Sequence, residues 1–208
     1  MARQISPVCR LCRREGMKLF LKGTRCDTPK CAVERRESPP GMIASRRNKP
    51  TEYAAHLREK QKVKRFYGVL ERQFRKYFVQ AERTKGHTGD ALMVLLERRL
   101  DNIIYRLGLG QSRAQSRMMV THGHITVNGR LVNIPSFLVR AGDVIRVKGR
   151  PKSVQLAQTN RAEAARQVPD FLSLAEGAEI EGHVLRMPEA GDVSIPVQTQ
   201  LIVELCSK

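Results

Sequence analysis

Four of the five cysteines, Cys9, Cys12, Cys26 and Cys31, fall within 23 residues of one another. The spacing is C-x2-C, thirteen residues, then C-x4-C. Two close pairs joined by a loop let four thiolates meet at one tetrahedral point, which is metal-site chemistry. Disulfides are the rival, but they belong to secreted chains. A redox C-x-x-C needs only one pair and a thioredoxin-like setting, which is absent here. Zinc is the default ion; an iron–sulfur cluster suits four thiolates equally, and spacing does not separate the two. Four protein ligands leave no open position, so such a metal orders the chain and cannot activate a water. Arg10, Arg13, Arg14, Lys18, Lys22 and Arg25 surround the ligands and would offset their negative charge. Cys206 stands alone and reads as a buried free thiol.

A second group of residues suggests RNA chemistry. Ser112 and the free amides of the helix it opens make a phosphate site. Arg113 and Arg117 lie four residues apart, on one face of that helix. His122 and His124 flank Gly123, and Asn128-Gly129 marks an exposed hairpin tip. Singly these are a solvated arginine, a satisfied histidine and an ordinary turn. Jointly they could lay one helix and one hairpin against an RNA backbone, in a stretch (residues 111–161) whose single acid is Asp143.

The elements that must hold these residues are mostly helical. Ser38-Pro39-Pro40-Gly41 is a breaker cluster that closes the cysteine segment, and a basic linker with Arg46 and Arg47 follows. Thr51 is a helix cap, and residues 51–83 read as helix with a break at Gly68. Tyr53, Leu57, Val63, Phe66, Tyr67, Leu70, Phe74 and Phe78 recur at mostly helical spacing, which reads as core packing rather than base stacking. Asp90 caps a helix expected to run to about Leu107. A helix from Ser112 ends at Gly123, with Gln115 completing a capping-box pattern. Ile125–Val127 and Leu131–Ile134 form a hairpin, and Asp143–Lys148 a further strand. Helix follows near 153–168, then short strands near 183–187 and a last helix over about 197–205. The expected class is α+β, mostly helical.

Composition favours a polyanionic partner. The 208 residues carry a net charge of +18, and 41% are hydrophobic. Residues 1–50, 51–110 and 111–161 carry +9, +6 and +8, whereas 162–208 carry −5. Three segments of one sign are not explained by ordinary solvated faces, and charge of this size disfavours compaction unless a polyanion neutralises it. Residues 1–161 are therefore expected to face RNA. Lys22, Arg46, Arg47, Lys62, Lys64, Arg65, Arg99, Ser112, Arg113, Arg117, His122, Asn128 and Lys148 are the candidate contacts. Glu176, Glu179 and Glu181 should face solvent or a basic protein neighbour. No apolar signal region and no bilayer-length apolar run is present, so a cytosolic protein without a membrane partner is expected. No nucleophile–base pair, Gly-rich phosphate loop or open metal site points to catalysis.

The motifs CRLCRREG, EKQKVKRFYGVLERQFRKYF and GHTGDALMVLLERRLDNIIYRLGLG resemble the bacterial small-subunit ribosomal protein S-four family over nearly the whole chain. The stretch from Arg98 to Lys148 looks like the small RNA-binding module named after it, which pseudouridine synthases, tyrosyl-tRNA synthetase and a heat-shock protein share. Phe171 stands where the family often has Trp, a volume-tolerant core change. The resemblance implies a metal-binding segment (1–43), a helical domain (44–96), an inserted module of two helices and a small antiparallel sheet (97–161), and a C-terminal part (162–208) packing on the helical domain. It also implies a non-enzymatic structural protein, not a stand-alone homo-oligomer. Such a protein binds 16S ribosomal RNA early in assembly, contacts ribosomal protein S-five and other small-subunit proteins, influences decoding accuracy and lines the channel where messenger RNA enters. Some relatives repress their own messenger, and some lack the cysteines. The rivals are an RNA-modifying enzyme, which needs a further catalytic domain, and a free regulator of messenger leaders. Co-sedimentation with ribosomal particles separates them.

Overall fold

A computed structural model describes residues 4–36, 38–41, 51–164, 167–176 and 180–207. Arg46, Arg47 and Glu179 lie outside the described residues, as does the side chain of Glu176. In chain order the helices are α1 (Cys9–Glu15), α2 (Ala32–Arg35), α3 (Glu52–Tyr67), α4 (Glu71–Glu82), α5 (Thr88–Glu97), α6 (Leu100–Arg106), α7 (Arg113–Thr121), α8 (Pro151–Ala164) and α9 (Thr199–Cys206). The strands are β1 (Ile125–Val127), β2 (Arg130–Leu131), β3 (Val144–Val147), β4 (Leu172–Glu176) and β5 (Ile180–Val184). The class is α+β, as expected. The chain forms two compact units, residues 1–92 with 194–208, and residues 93–193.

The first unit is helical. The Thr51 hydroxyl accepts a hydrogen bond from the Ala54 amide at 3.3 Å and starts α3. Gly68, at φ +65°, ends it in the left-handed conformation that glycine adopts without strain. Val63, Phe66, Tyr67, Phe74, Tyr77, Phe78 and Ala81 are buried, with Ile202 of α9. The aromatic stripe is thus largely core, except that Tyr53 and Leu70 are exposed. Tyr53 lies in the first turn of α3 and Leu70 at the N-cap of α4, where a terminal turn has fewer neighbours to bury it.

The second unit packs α6 and α7 with a five-stranded antiparallel sheet of order β2-β1-β3-β5-β4. Leu100, Ile103, Ile104, Leu107, Val120, Ile125, Ile145 and Phe171 form the centre of its core. Two expectations change here. The helix expected from Asp90 to Leu107 begins at Thr88 and breaks between Glu97 and Leu100. At the break Arg99 is extended (ψ 135°), and the Leu100 and Asp101 amides donate to the carbonyls of Phe137 and Pro135. A crossing segment has replaced the helical ladder. The region 162–208 is also divided: β4 and β5 join the module's sheet, with Ile145 opposite Gly182, and only α9 lies in the first unit. Strands arise at 172–176 and 180–184, upstream of the expected 183–187.

Candidate nucleic-acid interface

The hairpin between β1 and β2 turns at Asn128 (φ +51°) and Gly129 (φ +76°), the double left-handed geometry of a tight turn. Asn128 is committed to that geometry. Its Nδ2 donates to Asp143 Oδ1 at 2.8 Å, and its Oδ1 accepts from the Val144 amide at 2.8 Å. The side chain of Asn128 thus holds the turn to β3, and the residue stays exposed at the hairpin tip. Ser112 likewise accepts from the Gln115 amide at 3.3 Å, while Gln115 Oε1 accepts from the Gln111 amide at 2.7 Å. The cap is present, but the reciprocal bond reaches Gln111 rather than Ser112.

The arginines of this segment also differ from expectation. Arg99 is fully buried, and Arg113 and Arg117 retain only 7% and 8% exposure. Arg99 donates to Asp101 through Nε at 3.0 Å and through Nη2, while Arg117 reaches the same carboxylate at 3.3 Å. Arg113 Nε donates to Asn102 Oδ1 at 2.9 Å, with its guanidinium 4.2 Å from the Tyr105 ring centre. Asn102 in turn donates to buried Glu97, which also takes two hydrogen bonds from Arg106. Buried charges must be paired to offset desolvation, and here Arg99 and Arg117 answer Asp101, while Arg113 is held by Asn102 and the Tyr105 ring. In the first unit, Lys62 pairs with Glu59, Lys64 with Glu71 at 2.6 Å and Arg65 with Glu15. Glu181 pairs with Arg146 at 2.8 Å across β5 and β3, so it answers a cation of its own sheet.

What stays available is a different set. Arg130, Arg140, Arg150 and Lys152 are exposed, and among the described residues they form no ion pair. None of the four was picked out from the sequence; their signal was flanking position beside the hairpin and beside the turn after β3. They lie in two groups. At the hairpin end are Arg130 and Arg140, whose backbone amide donates to Asp143. At the other end His124 meets His122 (ring centres 6.2 Å apart), and its Nδ1 is 2.9 Å from Ser153 Oγ. The Lys148 amide donates to the His124 carbonyl, placing Lys148 and Arg150 beside it. Burial, then the neighbouring His122 and Arg150, lowers the His124 pKa, which keeps its ring neutral near pH 7. The arrangement offers spaced cations and an exposed His122 around the sheet, which suits phosphate backbone rather than chemistry on a bound substrate.

Residues 3–97 match the model of the ribosomal protein S4/S9 N-terminal domain, and residues 98–145 match that of the S4 domain. The small ribosomal subunit protein uS4A of Symbiobacterium thermophilum is 54% identical over 208 residues, covering all of both chains. Proteins named small ribosomal subunit protein uS4 from Thermoanaerobacter sp. and Halothermothrix orenii are 53% and 54% identical, again over the full length of each chain. The chain belongs to the uS4 family. The S4-domain match stops at Ile145, inside β3, whereas the sheet continues through β5 and β4. In this uS4 chain the RNA-binding module is therefore built on a larger antiparallel platform than the matched segment alone.

The cysteines of the N-terminal segment come together. Cys9, Cys12, Cys26 and Cys31 all line one small apolar cavity with Val8, Leu21, Lys22, Arg25 and Val33. The Lys22 amide donates to Cys26 Sγ at 3.4 Å. Burial raises the thiol pKa of Cys12 and of Cys26. By residue type the four thiols are the donor set of a four-thiolate metal, and Lys22 and Arg25 stand beside them. In this geometry no three His, Cys, Asp or Glu side chains among the described residues stand close enough together to hold a metal ion. Cys206 is half-buried rather than fully enclosed. No helix among the described residues is long and apolar enough to cross a membrane.

Proposed function

We propose that this chain is a non-catalytic constituent of the small ribosomal subunit that binds 16S ribosomal RNA directly. The observation that carries this is the division of its cations. Arg99 and Arg117 are matched by buried Asp101 and Arg106 by buried Glu97, while Arg130, Arg140, Lys148, Arg150 and Lys152 form no ion pair among the described residues. An exposed cationic surplus is what a phosphate backbone neutralises. Kinship with full-length uS4 proteins supports the same reading.

Within that role the chain binds a multi-helix RNA junction early in assembly of the subunit body. It contacts ribosomal protein S-five and other small-subunit proteins, touches messenger RNA near its point of arrival, and influences accuracy. It works in the cytoplasm with no membrane partner. Cys9, Cys12, Cys26 and Cys31 would hold one structural ion, zinc or the iron of a cluster, whose role is to order a segment with little core. Lys22 beside that segment joins the RNA surface. Co-sedimentation with small-subunit particles in moderate salt tests the function. The protein should remain with the particle and bind 16S rRNA more tightly than an unrelated transcript. Release from the particle with no preference between transcripts would overturn the reading.

A further inference from the structure

The turn between α7 and β1 sets two histidines side by side among cations. His122 and His124 flank Gly123, whose φ of +70° bends the chain there, and their ring centres are 6.2 Å apart. His122 is exposed and His124 half-buried. Two contacts close the loop after β3 against this turn. The Lys148 amide donates to the His124 carbonyl at 2.8 Å, and His124 Nδ1 lies 2.9 Å from Ser153 Oγ. We propose that this pair is a proton-linked RNA contact, whose rings take up protons as a phosphate backbone binds, so that affinity rises as pH falls; this rests on the reading of the chain as an rRNA binder.

The charges around the pair are of one sign. His124 faces His122 within the turn and Arg150 just ahead of α8. No acid occurs in α7, β1, β2 or β3. Arg113 and Arg117 of α7 are engaged by Asn102 and Asp101, and Arg146 of β3 by Glu181. α8 carries Lys152 and Arg161; its one acid, Glu163, lies near the far end and accepts from Gln111. Asp143 is held at the hairpin end by Asn128 and the Arg140 amide. A proton on either ring therefore meets only like charge in the free chain. Burial, then His122 and Arg150, lowers the His124 pKa accordingly.

A phosphate backbone reverses that balance. Its negative charge favours the protonated ring and offsets the repulsion from Arg150. Each charged ring then offers phosphate a charge-assisted donor. The contact with Ser153 does not oppose this, since a hydroxyl donates to a bare ring nitrogen or accepts from a protonated one. Imidazole is the side chain whose ordinary titration falls between pH 5 and 8, so the response sits in that range. A ring whose pKa is higher in the complex than in the free chain takes up a proton on binding. Its contribution is full at low pH and is lost as pH rises through the raised value.

Binding of the full chain to a 16S rRNA transcript is measured at constant salt between about pH 5.5 and 7.5, a window set by imidazole titration. Calorimetry near pH 6.5 in buffers of different ionisation enthalpy counts the protons taken up. The proposal expects binding at least about tenfold tighter at the lower pH, and a net uptake of roughly one proton near the middle of the range. His122→Gln/His124→Gln should remove most of both effects, whereas His87→Gln, in the first unit, should keep the wild-type response. The His122 side chain makes no hydrogen bond or ion pair among the described residues. Should the double variant be unstable, His122→Gln alone must lose about half of the proton uptake. If the wild type binds the transcript selectively but with an affinity flat across this range, the proposal is overturned while the rRNA reading stands. A pH response carried by the RNA alone would persist in the histidine variants and would equally overturn it. If the wild type shows no selectivity for 16S rRNA, both fail.

Discussion

Asp101→Ala should unfold the second unit far more readily than any surface change. Asp101 is 3% exposed and accepts from Arg99, which is fully buried, and from Arg117, which is 8% exposed. The substitution removes one carboxylate from two buried guanidinium groups at once. Removing one partner of a buried pair costs about 3–5 kcal/mol, because the remaining charge keeps its desolvation penalty. A domain of this size is stable by about 5–15 kcal/mol in all, so that loss is a large share. The melting temperature should fall by roughly 15–25 °C. Asp101→Asn keeps an acceptor for Arg99 and should cost less, about 1.5–3 kcal/mol. Urea unfolding followed by circular dichroism measures both, and the deficit should persist in high salt because the pair is shielded from mobile ions. In parallel, Arg117→Ala should lower stability while leaving the salt slope of RNA binding unchanged. A loss under about 1 kcal/mol for Asp101→Ala would refute the assignment of these arginines to the interior. So would an Arg117→Ala protein of unchanged stability whose salt slope drops by one.

Three further outcomes are expected. Burial raises the Glu71 pKa, but hydrogen bonds from Lys60 and Lys64 outweigh it and bring the group to about 2 from an ordinary 4.5. A depressed carboxylate contributes stability that is present above about pH 4.5 and lost as pH falls toward 2, so Glu71→Gln should flatten the acid limb of unfolding between those values. An equally steep limb in the variant would count against the pairing. Asn128→Ala forfeits two hydrogen bonds at a positive-φ position and should cost about 1–3 kcal/mol in thermal unfolding, with Asn128→Asp milder; a neutral alanine would contradict the structural role given to this turn. Cys26→Ser should release the bound metal and loosen residues up to Gly41 while the S4 module stays folded, as elemental analysis and limited proteolysis would report. Native protein free of metal would end that proposal.

Local chemistry was legible in the sequence because it acts over a few residues. Thr51 and Ser112 each cap a helix through an amide three positions on, and Asn128-Gly129 turns a hairpin by its own backbone preference. The family was legible as well, since CRLCRREG and GHTGDALMVLLERRLDNIIYRLGLG are long, specific strings. The destination of each charge was not. Arg113 and Arg117 look from their spacing like a phosphate-facing pair, but Asn102 and Asp101, 11 and 16 residues earlier, draw them inward. Counting charges along a chain cannot tell a buried guanidinium from a solvated one, because burial is decided by elements that meet only after folding. For the same reason the break at Arg99 and the addition of β4 and β5 to the sheet have no local signal: each depends on hydrogen bonds to residues some 35 positions away. Composition and the long family strings already mark a cationic uS4 chain with a cysteine cluster, whereas folding alone sorts its cations into enclosed and exposed, because taking a charge out of water is offset only where a partner meets it.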